Sequence, residues 1–307
     1  MDQFHRMAIC YDFDRTLSPD DMQAYAFIPS VAFDKDTFWQ QSNEDAVRNH
    51  MDRNLAWMKK MLDEAIHARQ SIRREAFFEQ GKAVELYAGL DSWFESINAY
   101  AEQKGVTVTH YVISSGLKEM IEGTAIARHF SRIYASTFLY NTDGVAVWPA
   151  QVVNYTNKTQ FIFRIAKGAF DENDDSVNHS MKPEDLYVPY ENMVYIGDSD
   201  TDIPSMRVVR NKGGYAIGVY PPEAETHRKM CDLFLDRRID YFAPADYRPG
   251  EALYRMVSKV VDLVAARCAL AMETQALRGL IKGEGGIPPS AAAEKGQGRS
   301  PCQVSKG

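Results

Sequence analysis

The sequence predicts an α/β protein in which helices cover both faces of a parallel β-sheet and a helical segment is inserted after the first strand. Short apolar segments rich in β-branched residues alternate with amphipathic stretches of helical period, and this alternation is typical of parallel sheets. Several apolar segments end at acidic or small residues. Ligands of such folds bind at the carboxyl ends of the strands, so these residues are the candidates for function.

The first strand is predicted over residues 7–11, and the helical insertion follows it. Between residues 36 and 80, apolar side chains recur at steps of three and four residues, which indicates successive amphipathic helices. Asp36 and Ser71 are the expected N-caps of these helices. The aromatic and methionine residues of the stretch are interpreted as the insertion's own core.

Beyond the insertion, predicted helices and strands alternate as far as residue 219. The helices are expected over residues 91–103, 117–128, 158–165 and 201–209, and the strands over residues 106–113, 131–135, 137–140, 145–148, 192–196 and 215–219. A polar surface excursion is expected around residues 171–182. The predicted division of the chain is a core of residues 1–19 and 86–280, a helical insertion of residues 20–85 and a disordered tail of residues 281–307.

Composition and charge argue against several classes of protein. The net charge is -7, whereas nucleic-acid binding needs clustered Lys and Arg. The four cysteines show no C-x-x-C spacing, which argues against a zinc site and for free thiols in a reducing compartment. No signal peptide is expected, and residues 260–272 are too short and too charged to cross a membrane. We therefore expect a cytoplasmic protein without a nucleic-acid or membrane partner.

Two carboxylates follow the first predicted strand. Asp12 and Asp14 stand two residues apart, and in an extended segment such side chains share one face. The pair can divide a reaction, because one carboxylate attacks as a nucleophile while the other moves protons. Taken alone, the pair is more typical of an acidic turn after a strand.

Polar residues also follow three later elements. Ser114 and Ser115 end a strand, where hydroxyl groups and a helix N-terminus can hold phosphoryl oxygens, although Ser114 is equally a candidate N-cap. Lys158 begins a predicted helix, where its charge can neutralise a carboxylate nucleophile and a phosphoryl group. Asp198 and Asp202 belong to an acidic cluster after a strand, and clustered carboxylate oxygens suit Mg²⁺.

Together, these residues resemble the haloacid dehalogenase-like (HAD) hydrolases, and the motifs occur in the family's order between residue 7 and about residue 220. Asp12-Phe13-Asp14-Arg15-Thr16 resembles the first motif, D-x-D-x-T, and Gly197-Asp198 with Asp202 resembles the fourth, G-D-x-x-x-D. Ser114 and Lys158 match the second and third motifs by position. The resemblance implies a Rossmann-like core with a helical cap inserted after the first motif, as in phosphoserine phosphatases.

The resemblance further implies an Mg²⁺-dependent phosphatase that acts on a small phosphorylated metabolite. Asp12 would attack phosphorus to give an aspartyl-phosphate, while Asp14 would protonate the leaving oxygen and then activate water. The implied Mg²⁺ ligands are Asp12, the backbone carbonyl of Asp14, and Asp198. The implied phosphate-binding residues are Thr16, Ser114, Ser115, Lys158 and Asp202, of which Asp202 would orient Lys158 or a metal-bound water.

Other functions are weighed against this one. A dehalogenase would leave Asp14 unexplained, and a phosphonate-cleaving enzyme would need a lysine in an apolar setting, which the sequence around Lys35, Lys59 and Lys60 does not indicate. A phosphotransferase and a non-catalytic phosphate-binding or regulatory protein of the same fold stay open.

Within the phosphatase interpretation, Lys167 is a rival to Lys158 as the third motif, and Lys158 is preferred because it precedes its helix. The oligomeric state is open. So is the choice of specificity residue among Arg48, Arg53 and Tyr25.

Overall fold

The computed structural model describes residues 5–198, 200–224 and 226–283, and these residues form a seven-stranded sheet flanked by helices. In chain order the strands are β1 (Arg6–Tyr11), β2 (Thr107–Leu117), β3 (Phe130–Tyr140), β4 (Ala146–Gln151), β5 (Met193–Gly197), β6 (Tyr215–Tyr220) and β7 (Tyr241–Pro244). Their spatial order is β4-β3-β2-β1-β5-β6-β7. Neighbouring strands are parallel except β3 and β4. The predicted α/β fold is confirmed.

This strand order decides which segments meet. β1 lies in the middle of the sheet, with β2 on one side and β5 on the other. Because all three run parallel, the residues after them emerge at the same edge of the sheet.

Helices connect the strands and form the insertion. In chain order they are α1 (Phe27–Ser30), α2 (Lys35–Arg48), α3 (Arg53–His67), α4 (Arg74–Gly81), α5 (Leu90–Gln103), α6 (Lys118–Gly123), α7 (Lys158–Lys167), α8 (Ile203–Asn211), α9 (Arg228–Leu235) and α10 (Ala252–Gly283). Helices α1 to α4 lie between β1 and β2, as the sequence predicts. The exact limits of the insertion, residues 20 and 85, stay predictions.

The predicted N-caps of the insertion are wrong. Asp34 caps α2, since its side chain accepts the backbone N–H of Thr37, and Asp52 caps α3 in the same way. Asp36 lies within the first turn of α2, and Ser71 precedes α4 without capping it. An N-cap needs an extended backbone as well as an acceptor side chain, and among several nearby acids the pattern of residue types alone does not show which one has it.

The sheet is buried on both faces, which explains its uninterrupted apolar strands. On one face of β1, Ala8 and Cys10 pack in the main core cluster together with side chains of α7 and α8. On the other face, the Tyr11 hydroxyl accepts a hydrogen bond from Trp93 of α5 at 2.7 Å. Alternate residues of one strand therefore hold helices against opposite faces.

Several predicted elements differ in extent. β3 is one strand where two were predicted, because Ser136 in its middle is buried and donates to the carbonyl of Ser115. The helix predicted over residues 117–128 is the shorter α6 followed by a 3₁₀ turn, Ala127–His129. β7, α9 and α10 were not predicted.

The chain divides into two units, residues 1–267 and residues 268–307. Of the predicted disordered tail, residues 281–283 belong to α10 and residues 284–307 lie outside the described residues. In the part of the chain that the structure describes, no helix has the length and apolar character that crossing a membrane requires. Cys10 and Cys231 carry free thiols.

Candidate active site

The chain turns sharply after β1 and thereby positions the first motif. The backbone N–H of Asp12 donates to the carbonyl of Ile196 on β5 at 3.0 Å, and the N–H groups of Thr16 and Leu17 converge on the carbonyl of Phe13 at 3.2 and 2.8 Å. The sequence predicts that Asp12 and Asp14 share one face of an extended segment. This is wrong, because the strand ends at Tyr11. The turn brings both carboxylates to one cavity instead.

Lys158, at the start of α7, is the cation of the site. Its Nζ lies 2.9 Å from Oδ1 of Asp12 and 2.8 Å from Oδ1 of Asp202, and its side chain is fully buried. Burial lowers the pKa of Lys158, but the charges of Asp12 and Asp202 outweigh that effect and hold the pKa above its usual value. Lys158 is therefore a fixed positive charge between two carboxylates.

The rival lysine lies elsewhere. Lys167, at the end of α7, donates from Nζ to the carbonyls of Val177 and His179 at 2.6 and 2.7 Å. These hydrogen bonds fasten the polar excursion that the sequence predicts around residues 171–182. Of the two candidate lysines, the structure places Lys158 beside Asp12.

Three carboxylates converge beside β1 and β5. Asp12, Asp198 and Asp202 each present an oxygen within 4.8 Å of the others. The hydroxyl of Thr16 lies 3.5 Å from Oδ1 of Asp198, and the Tyr195 hydroxyl donates to Oδ1 of Asp202 at 2.9 Å. Asp200, from the same acidic cluster of the sequence, is exposed and pairs with Lys229 at 3.5 Å.

The electrostatics of this cluster fit a divalent cation. Burial, followed by repulsion from Asp202, raises the pKa of Asp12 to about 7, and burial with repulsion from Asp202 and Asp12 raises the pKa of Asp198 to about 8. One lysine faces three carboxylates, which leaves an excess of negative charge when all are ionised. Hard cations such as Mg²⁺ prefer an all-oxygen donor set of this kind.

Asp14 is the second acid of the site. Its Oδ1 accepts the backbone N–H of Met22 at 2.8 Å, which ties it to the 3₁₀ turn Met22–Ala24 that leads into the insertion. Burial, with the charges of Asp21 and Asp12, raises the pKa of Asp14 well above its ordinary value. Asp14 therefore favours the protonated form in this setting more than an exposed aspartate does.

Ser114 and Ser115 lie inside β2, which continues to Leu117. Ser114 is therefore not an N-cap, because Leu117 is the residue that precedes α6. The Ser114 hydroxyl accepts the N–H of Gly116 at 3.0 Å. A Cβ at Gly116 would overlap the end of the Met22 side chain and stand 2.9 Å from Oδ2 of Asp14, so a larger residue here would displace these two side chains.

A cavity of about 490 Å³ opens between the motifs and the helical insertion. Core residues and insertion residues both line it: Asp12, Asp14, Arg15, Ser114, Ser115, Gly116, Asp198 and Thr201 from the core, and Asp21, Gln23, Lys35, Asp36, Trp39, Ser42, Asn43, Arg53, Asn54 and Trp57 from the helical insertion. Thr16, Lys158 and Asp202 are fully buried and do not line it. Their side chains lie beside Asp198 or Asp12, which do line the cavity.

The comparisons with known proteins agree with this architecture. The family model for haloacid dehalogenase-like hydrolases matches residues 9–207. The chain belongs to this family. The membership that the motifs predict is therefore confirmed, and this HAD hydrolase carries its family's segment from β1 into α8.

Individual relatives are distant. This HAD hydrolase is 24% identical over 290 residues to an uncharacterized protein of Borreliella burgdorferi, a match that covers 84% of this chain and 97% of that protein. A HAD family hydrolase of Salmonella enterica serovar Typhi superposes with a TM-score of 0.50 at 15% identity, over 78% of this chain and 66% of that one.

A probable phosphoserine phosphatase of Vibrio cholerae superposes with a TM-score of 0.53 at 12% identity, over 87% of this chain and 68% of that one. At such identities the likeness is one of fold.

Sequence reasoning missed most of the insertion's contribution to the cavity. Of the three specificity candidates left open, Arg53 lines the cavity, whereas Arg48 pairs with Asp45 on the surface and Tyr25 accepts a hydrogen bond from Ser18. Gln23 and Trp39 were not singled out. No local pattern marks them, because a tryptophan at helical spacing is equally expected in a core.

Two hydrogen bonds join the insertion to the segment before Lys158. Asn54 of α3 donates from Nδ2 to the carbonyl of Val153 at 2.6 Å, and Asn154 donates from Nδ2 to Oδ2 of Asp52 at 3.0 Å. Asp52 also caps α3. The N-terminus of α3, which contributes Arg53, Asn54 and Trp57 to the cavity, is thereby held against the loop that presents Lys158.

Proposed function

We propose that this HAD hydrolase is an Mg²⁺-dependent phosphatase that hydrolyses a small phosphomonoester through an aspartyl-phosphate intermediate. One observation carries the proposal: Asp12 contacts Lys158, lies in one carboxylate cluster with Asp198 and Asp202, and lines the same cavity as Asp14. A nucleophile, a proton donor, a fixed positive charge and oxygen ligands for a cation thus meet at one place. Phosphoryl transfer requires this combination.

In the first half of the reaction, a carboxylate oxygen of Asp12 attacks phosphorus. The bond from phosphorus to the ester oxygen breaks, its electron pair stays on that oxygen, and Asp14 supplies the proton that makes it an alcohol. The phosphoryl group is then bound to Asp12 as a mixed anhydride. Lys158, fixed 2.9 Å from Oδ1 of Asp12, offsets the negative charge that gathers around the nucleophile.

In the second half, a water molecule attacks phosphorus and gives its proton to the carboxylate of Asp14. The bond from phosphorus to Asp12 breaks, and inorganic phosphate and both original carboxyl groups are regenerated. The hydroxyls of Ser114 and Ser115, which line the cavity, are placed to donate to phosphoryl oxygens. Thr16 and Asp202 support the site by their contacts with Asp198 and Lys158.

We assign the cation site to Asp12, Asp198 and the backbone carbonyl of Asp14, with Asp202 close enough to the first two to hold an oxygen ligand in place. When bound, Mg²⁺ would neutralise the clustered carboxylates and the charge of the phosphoryl group. The donor set consists of oxygen atoms, which suits Mg²⁺ rather than a thiophilic metal.

The alternative reactions gain no support from the insertion lysines. Lys35 pairs with Asp20 and Lys59 with Asp63. Lys60 does not match its sequence interpretation, because it is buried and lies 4.5 Å from the ring centre of Phe33. Its Nζ is nevertheless held by Glu64 at 2.9 Å, outside the residues that line the cavity. An imine-forming lysine at the site is therefore not favoured.

The size of the cavity supports a proposal on the substrate and partners, and the free cysteines support one on location. Its volume of about 490 Å³ lies within the range of small-molecule sites, so we propose a small phosphorylated metabolite as substrate and no nucleic-acid or membrane partner. A cytoplasmic location is proposed on the free thiols of Cys10 and Cys231, which reducing compartments maintain.

Hydrolysis of p-nitrophenyl phosphate and of a panel of phosphomonoesters in MgCl₂ tests the proposal. We expect phosphate release from at least one of these substrates, and Asp12→Asn lowers kcat on the order of 10⁴-fold or more because the nucleophile is lost. Asp200→Asn, which alters an exposed acid of the same cluster, is the matched control and retains activity. An active Asp12→Asn variant, or Mg²⁺ binding without turnover of any substrate, contradicts the proposal.

A further inference from the structure

Two residues on the insertion side of the cavity each carry a buried polar atom that has no protein partner. Gln23 is only 2% exposed, and its Oε1 accepts no hydrogen bond; Nε1 of Trp39 is buried and donates none. Both residues line the cavity. A buried polar group without a partner costs free energy, and in a binding site the ligand can supply that partner. A leaving group that satisfies both atoms needs a donor for Oε1 of Gln23 and an acceptor for Nε1 of Trp39.

The charges on the same side are balanced. Arg15 pairs with Asp21 at 3.1 Å and Lys35 pairs with Asp20 at 2.6 Å. The two other charged residues that the insertion contributes, Asp36 and Arg53, are exposed and of opposite sign. Exposed charges are hydrated and screened, so this side of the cavity favours neither a cationic nor an anionic leaving group.

The remaining surface there is partly carbon. Trp57 is 5% exposed, and its Nε1 already donates to Oδ1 of Asn54 at 3.2 Å, so this indole offers the cavity mainly apolar contact. An aliphatic carbon chain packs well against such a surface. A hydroxyl group both donates and accepts, so a polyhydroxylated chain can satisfy Gln23 and Trp39 while its carbon atoms contact Trp57.

We infer that Gln23 and Trp39 determine specificity and that the substrate is a neutral polyhydroxylated phosphomonoester, a polyol or sugar phosphate. The inference rests on the proposed function, since it identifies the leaving group of that reaction. Gln23 Oε1 accepts from one hydroxyl, and Trp39 Nε1 donates to another. A leaving group without hydroxyls leaves both atoms unpaired, and sites of this kind reject such analogues strongly.

A matched pair of substrates tests this. Sorbitol 6-phosphate and hexyl phosphate have six-carbon leaving groups that differ in their hydroxyls. We expect the wild-type kcat/KM to favour sorbitol 6-phosphate by about 100-fold or more. Gln23→Leu and Trp39→Phe each reduce that ratio at least tenfold. Gln40→Leu is the matched control and leaves the ratio as it is, because Gln40 is an exposed glutamine of α2 that bonds to Glu44 outside the cavity.

The outcomes separate the two proposals. If the protein hydrolyses hexyl phosphate as well as sorbitol 6-phosphate, or prefers phosphoserine, the inference on the leaving group is overturned while the phosphatase activity stands. A ratio that survives in both Gln23→Leu and Trp39→Phe removes these residues from specificity. If no phosphomonoester is hydrolysed in an Asp12-dependent manner, the proposed function itself fails.

Discussion

The two sides of the cavity differ in how their polar groups are satisfied. On the core side, Lys158 is held by Asp12 and Asp202, and Asp202 also accepts from Tyr195. On the insertion side, Gln23 and Trp39 each keep a buried atom without a partner. Groups that hold one another are preorganised, and preorganised charge is what catalysis requires. We propose that the groups without partners take part in ligand recognition.

The two sides differ in charge as well. The core side gathers Asp12, Asp198 and Asp202 around a single lysine, whereas the pairs Arg15–Asp21 and Lys35–Asp20 balance the insertion side. An excess of buried negative charge is costly without a cation. This contrast supports the proposal that the core side binds the cation and carries the chemistry, while the insertion side recognises the leaving group.

After loss of the nucleophile Asp12, removal of the fixed cation of the core side has the largest expected effect. In Lys158→Met, two buried carboxylates lose their partner, which costs about 3–5 kcal/mol of unfolding free energy, and kcat falls by about 10²–10³-fold. Urea unfolding and steady-state kinetics measure both. Lys167→Met is the control: its Nζ donates to two carbonyls away from the cavity, so kcat should not change. Equal losses of kcat in the two variants would refute the assignment of Lys158.

Cation binding should stabilise the core side. At a concentration of Mg²⁺ 100 times its dissociation constant, the unfolding free energy of the wild type rises by about 2.7 kcal/mol. Thermal unfolding with MgCl₂ and with EDTA measures this shift. Asp198→Asn should lose most of the shift, and Asp200→Asn should keep it. The same shift in all three proteins would place the cation elsewhere.

On the face of the sheet that α5 covers, buried polar side chains are also hydrogen-bonded to one another. Trp93 donates to the Tyr11 hydroxyl at 2.7 Å, and that hydroxyl lies 2.9 Å from Nδ1 of His110, whose Nε2 lies 3.0 Å from Oδ1 of Asn98. Burial, with a smaller effect of His129, lowers the pKa of His110 to about 3. The ring is therefore neutral in the folded protein, donating from Nε2 and accepting at Nδ1.

This network predicts a pH dependence of stability. Below pH 6.5 the unfolded chain binds a proton at His110 that the folded chain does not, so stability falls as the pH decreases from 6.5 towards 3. Between pH 6.5 and pH 5 the loss amounts to about 1.6 kcal/mol. Urea unfolding of the wild type and His110→Gln at both pH values measures it. A wild-type loss no larger than that of the variant would show that His110 does not contribute.

The link between the two sides has the smallest expected effect. Asn54→Ala removes the hydrogen bonds to Val153 and Trp57, which costs about 1–2 kcal/mol and lowers kcat a few-fold by loosening the loop before Lys158. In Asn49→Ala, the matched control, a bond to Asp45 within the insertion is lost and kcat stays the same. If the two variants have equal kcat, the link does not position Lys158.

Much of the core side was predictable because it depends on local patterns. The period of apolar residues indicated β1, β2, β5 and β6, and in parallel sheets the residues after neighbouring strands meet at one edge. From that rule alone, Asp12, Ser114 and Asp198 are expected to lie close together. The failures were also local: Asp34, not Asp36, caps α2, and Ser71 does not cap α4. Residues 131–135 and 137–140, predicted as two strands, form the single strand β3.

The sequence by itself determined the α/β class, the order of the motifs and the acids that end β1 and β5, since strand period and residue type are properties of neighbouring residues. Only the tertiary structure showed that Lys158 lies beside Asp12 and Lys167 does not, and only it showed that Gln23 and Trp39 line the cavity. Whether a buried polar atom has a partner depends on groups far away in the chain, and no local pattern of residues records those groups.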